Sequence, residues 1–367
     1  MIEQALPLNQ KIGQLFFIGI PGPQVDEQTR ELLDEISPGG VCLFSRNIRE
    51  AAQTRQLLDD IRNLLSVIPF LSIDQEGGLV DRLRRIMTPM PAASKLRNSE
   101  DATNLAAIIA ESLRILGCNM DFAPVVDVVD EERAKYSNGL FSRAFGNSKD
   151  DVLMLGGSFL STLQQNGIIG CLKHFPGLGA SNVDSHEQLP HVNISEDELL
   201  STDLFPYREL LKTGDTKAVM VAHAAFTKVN LQENDQNGKL LPSSLSKNFI
   251  TNLLRGELGF DGLVITDDLE MGAIVKNYGI GEACKMAILA GVDMLAICAE
   301  PVSIREGYNA VLAAVESGEI AEGLIDVSFA RIAKLKNEIS EPLVFGPERL
   351  QALSDQIAAL NESLARA

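Results

Sequence analysis

The sequence predicts an α/β fold, a single (β/α)8 TIM barrel, on three observations. Short apolar runs rich in β-branched and aromatic residues recur along the whole chain, longer amphipathic stretches separate them, and polar or charged residues abut the C-terminal ends of five of the runs. The first two are the alternation of strand and crossover helix expected around a parallel sheet. The third is the place where a barrel assembles its site. Strands are expected at 14–20, 39–44, 69–73, 119–123, 168–173, 218–222, 262–266 and 292–297. Helical patterning fills 49–66, 101–116, 149–166, 196–212, 245–258 and 281–290, then continues through 303–317 and 326–339 to a final surface helix at 347–366. Ser195 ahead of Glu196 and Glu198 reads as a helix start, with acidic residues where the helix dipole favours them.

The 367 residues would admit two domains at ~150 residues each, but a barrel commonly runs to ~250 or more as one. No Pro/Gly/Ser linker or charge run divides the chain, so residues 1–345 are expected to form the barrel and 346–367 a C-terminal helix. Two connections, 88–100 and 124–146, are long for a compact domain, and such loops are more often functional than idle.

Composition narrows the ligand. With 32 Lys+Arg against 50 Asp+Glu the net charge is −18, which repels nucleic acid and anionic membranes alike. There is no Trp and only 5% of residues are aromatic, so stacking platforms for long polymers are scarce and the ligand is expected to be small and held by polar contacts. The five cysteines, Cys42, Cys118, Cys171, Cys284 and Cys298, form no C-x-x-C pair and sit mostly in apolar runs. They read as core thiols in a reducing compartment. The N-terminus has no basic stretch and no apolar run approaches the ~18 residues of a membrane helix, so a cytoplasmic location with no membrane partner is expected. Oligomeric state stays open.

The chemistry collects behind the expected strands. Asp74-Gln75-Glu76-Gly77-Gly78 and Arg82 follow the third, Pro124, Asp127 and Arg143 the fourth, Lys173-His174-Phe175-Pro176-Gly177 the fifth, His223 the sixth and Asp267-Asp268 the seventh. Of the four histidines, His174, His186 and His191 fall behind strand five and His223 ends strand six. In Asp184-x-His186 the spacing puts a carboxylate and an imidazole on one side of an extended segment. Such a carboxylate fixes the imidazole tautomer and favours its protonated form, as a general acid that later acts as base requires.

These strings together resemble glycoside hydrolase family 3, and most closely its single-barrel bacterial β-N-acetylglucosaminidases. The resemblance runs collinearly through Asp74-Gln75-Glu76-Gly77-Gly78 with Arg82, Phe122-Ala123-Pro124-Val125-Val126-Asp127, Ser142-Arg143-Ala144-Phe145-Gly146 and Lys173-His174-Phe175-Pro176-Gly177. It continues through Asp184-Ser185-His186, Val219-Met220-Val221-Ala222-His223, Ile265-Thr266-Asp267-Asp268-Leu269-Glu270-Met271 and Ala290-Gly291-Val292-Asp293-Met294. It implies a retaining exo-glycosidase that removes terminal β-linked N-acetylglucosamine from small glycosides such as cell-wall fragments, with no cofactor and no metal. By the same resemblance Asp267 is the nucleophile, His186 oriented by Asp184 the acid/base, and Asp74, Arg82, Arg143, Lys173 and His174 hold the terminal sugar.

Some positions depart from the family pattern. Leu178 replaces a usual His, Ala180-Ser181 a common Asp-Thr and Leu79 a frequent Arg, and 127–142 lacks an Asn-Pro-rich stretch. The choice between N-acetylglucosamine and glucose is therefore open. A phosphorylase or a β-glucosidase on the same scaffold are the near alternatives. A metal-dependent hydrolase using His174, His186, His223 and Asp267, and a non-catalytic sugar-binding protein, are the distant ones.

Overall fold

Eight parallel strands follow one another around the sheet: β1 (Phe16–Gly19), β2 (Gly40–Leu43), β3 (Phe70–Ile73), β4 (Met120–Asp121), β5 (Ile169–Phe175), β6 (Ala218–Val221), β7 (Leu263–Thr266) and β8 (Leu295–Ile297). These come from a computed structural model that describes residues 6–136, 139–181 and 188–366. Each strand pairs with its predecessor and β8 pairs with β1, with Leu295 opposite Phe16. The ring closes between β7 and β8, where the Met294 N–H donates to the Val264 carbonyl and the Thr266 N–H to the Met294 carbonyl, both at 3.0 Å. This is the expected (β/α)8 barrel. All eight strands lie where the apolar runs place them, because every residue of them is buried and a strand buried on both faces reads as a continuous apolar run.

The interior is filled by side chains. The Phe17 ring stacks on Phe70 at 6.3 Å and tilts against Phe122 at 5.0 Å. Gly40, opposite Phe17 in register, makes this possible, since a Cβ there would lie 2.6 Å from the Phe17 ring. Outside, helix Ser99–Leu116 turns Ala102, Leu105, Ala106, Ile109, Leu113 and Leu116 onto the barrel. Each buried Leu contributes roughly 1.5–3 kcal/mol. The Asn98 side chain accepts from the Asp101 N–H at one end and Gly117 takes the left-handed conformation at the other, the two stops that fix its length.

Helices outside the expected stretches include two ahead of β1 and β2. Leu8–Gln14 forms ahead of β1, so Gln14 ends a helix instead of opening a strand. Glu27–Ile36 forms because Asp26 caps it, accepting from the Thr29 N–H at 2.8 Å. Strand five also runs two residues further than its apolar run, to Phe175. The Val126 N–H donates to the Lys173 carbonyl at 2.7 Å and the Ala222 N–H to the Phe175 carbonyl at 2.8 Å, so Lys173 and His174 are strand residues and not part of a loop.

The long connection after β3 has a structural task. The Thr88 N–H donates to Ser354 Oγ at 3.3 Å, and Asn361 Nδ2 to the Pro89 carbonyl at 2.9 Å. Both partners belong to the C-terminal helix Pro347–Ala365, whose Leu350, Leu353 and Ile357 are buried. From there the Met90 N–H reaches Asp81 Oδ2 at 2.9 Å, tying the connection to the hairpin of Gln75–Gly77 and Val80–Asp81 that carries site residues.

At the opposite end Lys336 is buried, with its Nζ 2.6 Å from Gln14 Oε1 and 5.4 Å from the Phe70 ring centre. Burial pushes its ammonium down to about 7 from an ordinary 10.5, with no carboxylate partner among the described residues. The unfolded chain therefore holds this proton up to higher pH than the folded one, and folding stability is lost as pH falls from about 10.5 towards about 7. Lys336→Met is expected to raise Tm at pH 7 and to flatten that part of the stability profile. Thermal melts at pH 7 and pH 9 check it, and a lower Tm at pH 7 would refute it.

Among the described residues no helix is long and apolar enough to cross a membrane. The five cysteines are free and buried.

Candidate active site

The C-terminal mouth of the barrel opens on a cavity of about 210 Å³. Asp74 enters it directly after β3, Arg82 and Glu76 from the hairpin, Arg143 from the short helix Leu140–Arg143, Lys173 and His174 from β5, and Asp267 directly after β7. Six sequence-predicted residues, Asp74, Arg82, Arg143, Lys173, His174 and Asp267, thus line one space. Asp184 and His186 lie outside the described residues; Ser181, the last described residue before them, lines the same cavity.

A buried ion-pair network forms one wall. Lys173 Nζ sits 2.7 Å from Asp74 Oδ1 and 2.7 Å from Glu76 Oε1. Arg143 grips Glu76 with two parallel hydrogen bonds of 2.8 and 2.9 Å, the fork geometry that suits a guanidinium. Burial alone would raise the Glu76 carboxyl, but Lys173 and Arg143 outweigh it and hold it well below the usual carboxylate range. Burial likewise opposes the Lys173 charge, and Asp74 and Glu76 push that ammonium above its ordinary value. Glu76, Lys173 and Arg143 stay ionised. Arg82 Nη2 approaches Asp74 Oδ2 only to 3.6 Å, and its buried Nε has no partner among the described residues.

Below this wall Asp121 accepts one hydrogen bond, from the Gln75 N–H at 2.9 Å, while its other oxygen is buried without a partner among the described residues. Burial, with Asp74 and Glu76 nearby, raises it far above its ordinary value.

His174 is held by a carboxylate absent from the sequence-based site. Its Nδ1 lies 2.7 Å from Asp127 Oδ2, and Asp127 Oδ1 also accepts from the Leu178 N–H at 2.6 Å. His174 Nε2 faces the cavity, 3.5 Å from Arg143 Nη2. Asp127 is an acceptor and Arg143 a donor, so the partners assign Nδ1–H and leave the Nε2 lone pair towards the cavity. Glu76 is the second residue that carried no assigned role. Both stand in the motif strings, yet only the fold shows which cation and which imidazole they meet.

The adjacent carboxylates behind β7 are unlike. Burial would raise Asp267, but His174, His223, the Asp268 N–H at 2.8 Å and Lys173 prevail and lower it. Asp268 is pushed up to about 7, by burial first and then by Glu270 and Asp267. Its Oδ1 is engaged by the Glu270 N–H at 3.0 Å and the Cys298 N–H at 3.3 Å. The expected polar end of strand six is different in kind: His223 is fully buried, with Nδ1 2.7 Å from Ser244 Oγ and Nε2 3.0 Å from the Asp268 carbonyl. It braces the β7 turn and does not reach the cavity, where Met220 represents β6. Among the described residues no group of three or more His, Cys, Asp or Glu is arranged to hold a metal.

A cavity lined by fixed donors and ionised acceptors, at the mouth of a barrel and beside an ionised strand-end carboxylate, defines a barrel enzyme furnished for a hydroxyl-rich ligand. Residues 7–335 match the family described as glycosyl hydrolase family 3 N terminal domain. A beta-hexosaminidase of Tolumonas auensis is 34% identical over 300 residues, covering 80% of this chain and 86% of that protein. A beta-hexosaminidase of Pseudomonas aeruginosa is 33% identical over 290 residues, 78% of this chain and 82% of that one. Among solved structures, a glycoside hydrolase family 3 beta-N-acetylglucosaminidase from a Paenibacillus species superposes with a TM-score of 0.86 at 36% identity, over 97% of this chain and 69% of that one. The chain belongs to glycosyl hydrolase family 3 and is a glycoside hydrolase.

Proposed function

We propose that the protein is an exo-acting, retaining β-N-acetylglucosaminidase, releasing terminal β-linked N-acetylglucosamine from small glycosides such as cell-wall muropeptide fragments. Its similarity to beta-hexosaminidases over most of both chains supports the activity. The observation that carries the mechanism is the contrast between Asp267 and Asp268. One is held ionised in the cavity, and the other is pushed up to about 7 with Oδ1 tied to two backbone N–H groups.

In this reading the terminal sugar lies among Asp74, Arg82, Arg143, Lys173 and His174. An Asp267 carboxylate oxygen attacks the anomeric carbon while His186, oriented by Asp184, gives its proton to the glycosidic oxygen, and the aglycone leaves as an alcohol. Water then attacks the same carbon, His186 takes its proton, and the ester to Asp267 breaks with overall retention. His174 Nε2, 3.5 Å from Arg143 Nη2, would accept from a hydroxyl once the sugar displaces that contact, and Arg82 lines the same cavity. Nothing in this chemistry needs a stacking platform, consistent with the absence of Trp.

The test is a panel of nitrophenyl β-glycosides, with 2-acetamido, 2-hydroxy and epimeric sugars, each assayed with and without phosphate. The expected result is preference for the N-acetylglucosaminide at a rate independent of phosphate. Formation of a sugar 1-phosphate would assign a phosphorylase, and preference for the glucoside a β-glucosidase.

A further inference from the structure

The backbone that leads from β5 towards Asp184 and His186 passes through a narrow slot. Gly177 has φ +134°, and a Cβ on it would lie 2.6 Å from the Asp203 Cβ. Two residues on, a Cβ on Gly179 would lie 2.0 Å from the Val128 carbonyl oxygen. Between them the Leu178 N–H donates to Asp127 Oδ1 at 2.6 Å. One wall of the slot is the Asp203 side chain, and the other is the backbone that follows Asp127.

Arg133 holds both walls. Its Nη1 donates to the Val128 carbonyl and to Asp203 Oδ1, each at 2.8 Å, and its Nη2 donates to Asp203 Oδ2 at 2.9 Å and Glu198 Oε1 at 2.7 Å. Arg133 and Asp203 are both buried. Arg133 is itself placed by Asp130, whose carboxylate accepts from the Glu132 and Arg133 N–H groups at the start of the short helix Glu131–Ala134. Leu178 and Ser181 of the segment line the cavity, while Arg133 and Asp203 stand behind it.

We propose that Arg133 and Asp203 are positioning residues for the proton-transfer step, fixing the root of the segment from which the His186 acid/base serves the glycosidic oxygen. The proposal rests on the proposed function, from which it takes His186 as the acid/base. Stability alone is a poor account of this clamp, because a buried ion pair is seldom worth more than apolar side chains of the same volume. A guanidinium forked onto a carboxylate fixes direction as well as distance, and here the directions fixed are those of the slot walls. Lysine would keep the charge and lose the fork. Proton transfer is the step most sensitive to the setting of this segment, since a general acid must come within ~2.6–3.2 Å of the atom it protonates. The residues proposed to hold the sugar are anchored to one another elsewhere.

General acid catalysis contributes roughly 10²–10⁴-fold, and it is needed most where the leaving group is poor. Arg133→Lys, Asp203→Asn and Gly179→Ala are therefore each expected to lower kcat/KM roughly 10- to 100-fold on an alkyl β-N-acetylglucosaminide and under about threefold on the dinitrophenyl one. Inhibition by free N-acetylglucosamine should be unchanged. The three variants disturb one slot through a cation, a carboxylate and a backbone, so the failure of one to fold leaves the others to decide, and activity on the dinitrophenyl substrate shows which are folded. Arg255→Lys loosens a comparable clamp at the far end of the barrel, on Asp293 and the Phe260 and Gly262 carbonyls. It should lower Tm and leave the ratio between the two substrates as in the wild type. His186→Ala sets the scale. If it discriminates between the substrates and the slot variants do not, the proposal is overturned. If His186→Ala loses both substrates equally, the acid/base assignment of the proposed function fails and the proposal falls with it.

Discussion

Asp267→Ala is expected to reduce turnover of an activated aryl N-acetylglucosaminide by a factor on the order of 10⁴ or more while leaving sugar binding largely intact. The fold gives a reason to expect binding to survive. The donors and acceptors proposed to hold the sugar are anchored to one another, Lys173 to Asp74 and Glu76, Arg143 to Glu76, and His174 to Asp127, and not to Asp267. Loss of the carboxylate opens space at the face from which it would attack. Added azide should then restore turnover of the alanine variant and yield the α-glycosyl azide, because the small anion occupies the vacated position. The pH dependence has a definite sign. Asp267 lies below its ordinary value, so it stays ionised through the mildly acidic range and an acid limb between pH 5 and 7 must come from another group. Near-wild-type turnover of Asp267→Ala, or azide rescue giving the β-anomer, would refute the nucleophile assignment. The corresponding Asp268→Asn variant should retain far more activity.

The difference between those two neighbours shows where sequence reading stops. Both belong to one string behind one strand, and their identity is the same. What separates them is which groups the fold aims at each: two imidazoles and a lysine towards Asp267, two backbone N–H groups and the Glu270 carboxylate towards Asp268. The strands themselves were legible because residues buried on both faces leave a continuous apolar run. Helix Glu27–Ile36 was not, since only Thr29, Leu32, Leu33 and Ile36 are buried and the rest is polar. His174 and His223 illustrate the same limit within the site. Each stands at the C-terminal end of a strand, but one ring opens on the cavity and the other is buried behind the β7 turn. Glu76 and Asp127 sat in the recognised strings, yet their tasks depend on Arg143 and His174, which are 67 and 47 residues away in sequence.

Asp127 therefore carries the second large expected effect. Asp127→Asn keeps the shape and one acceptor, but its amide can present N–H to His174 Nδ1, which favours the tautomer with the proton on Nε2. That proton would point at Arg143 Nη2, 3.5 Å away, and the cavity would lose the acceptor it offers to a sugar hydroxyl. A misplaced donor at a buried polar contact costs about 1–3 kcal/mol, or about 5- to 150-fold in kcat/KM at ~1.4 kcal/mol per factor of ten. The loss should be largest for the substrate carrying the hydroxyl that His174 accepts from, and smaller for the deoxy analogue lacking it, so a panel of deoxy sugars locates the contact. His174→Ala should show the same selectivity, and the double variant should be little worse than either single one, since both changes remove one contact. Asp127→Ala is a weaker probe, because Asp127 Oδ1 also holds the Leu178 N–H at 2.6 Å, and its loss would displace the loop as well as the imidazole. Equal losses on every deoxy substrate would show that Asp127 acts through the loop alone; losses that follow a single hydroxyl would show that it sets the direction of one hydrogen bond.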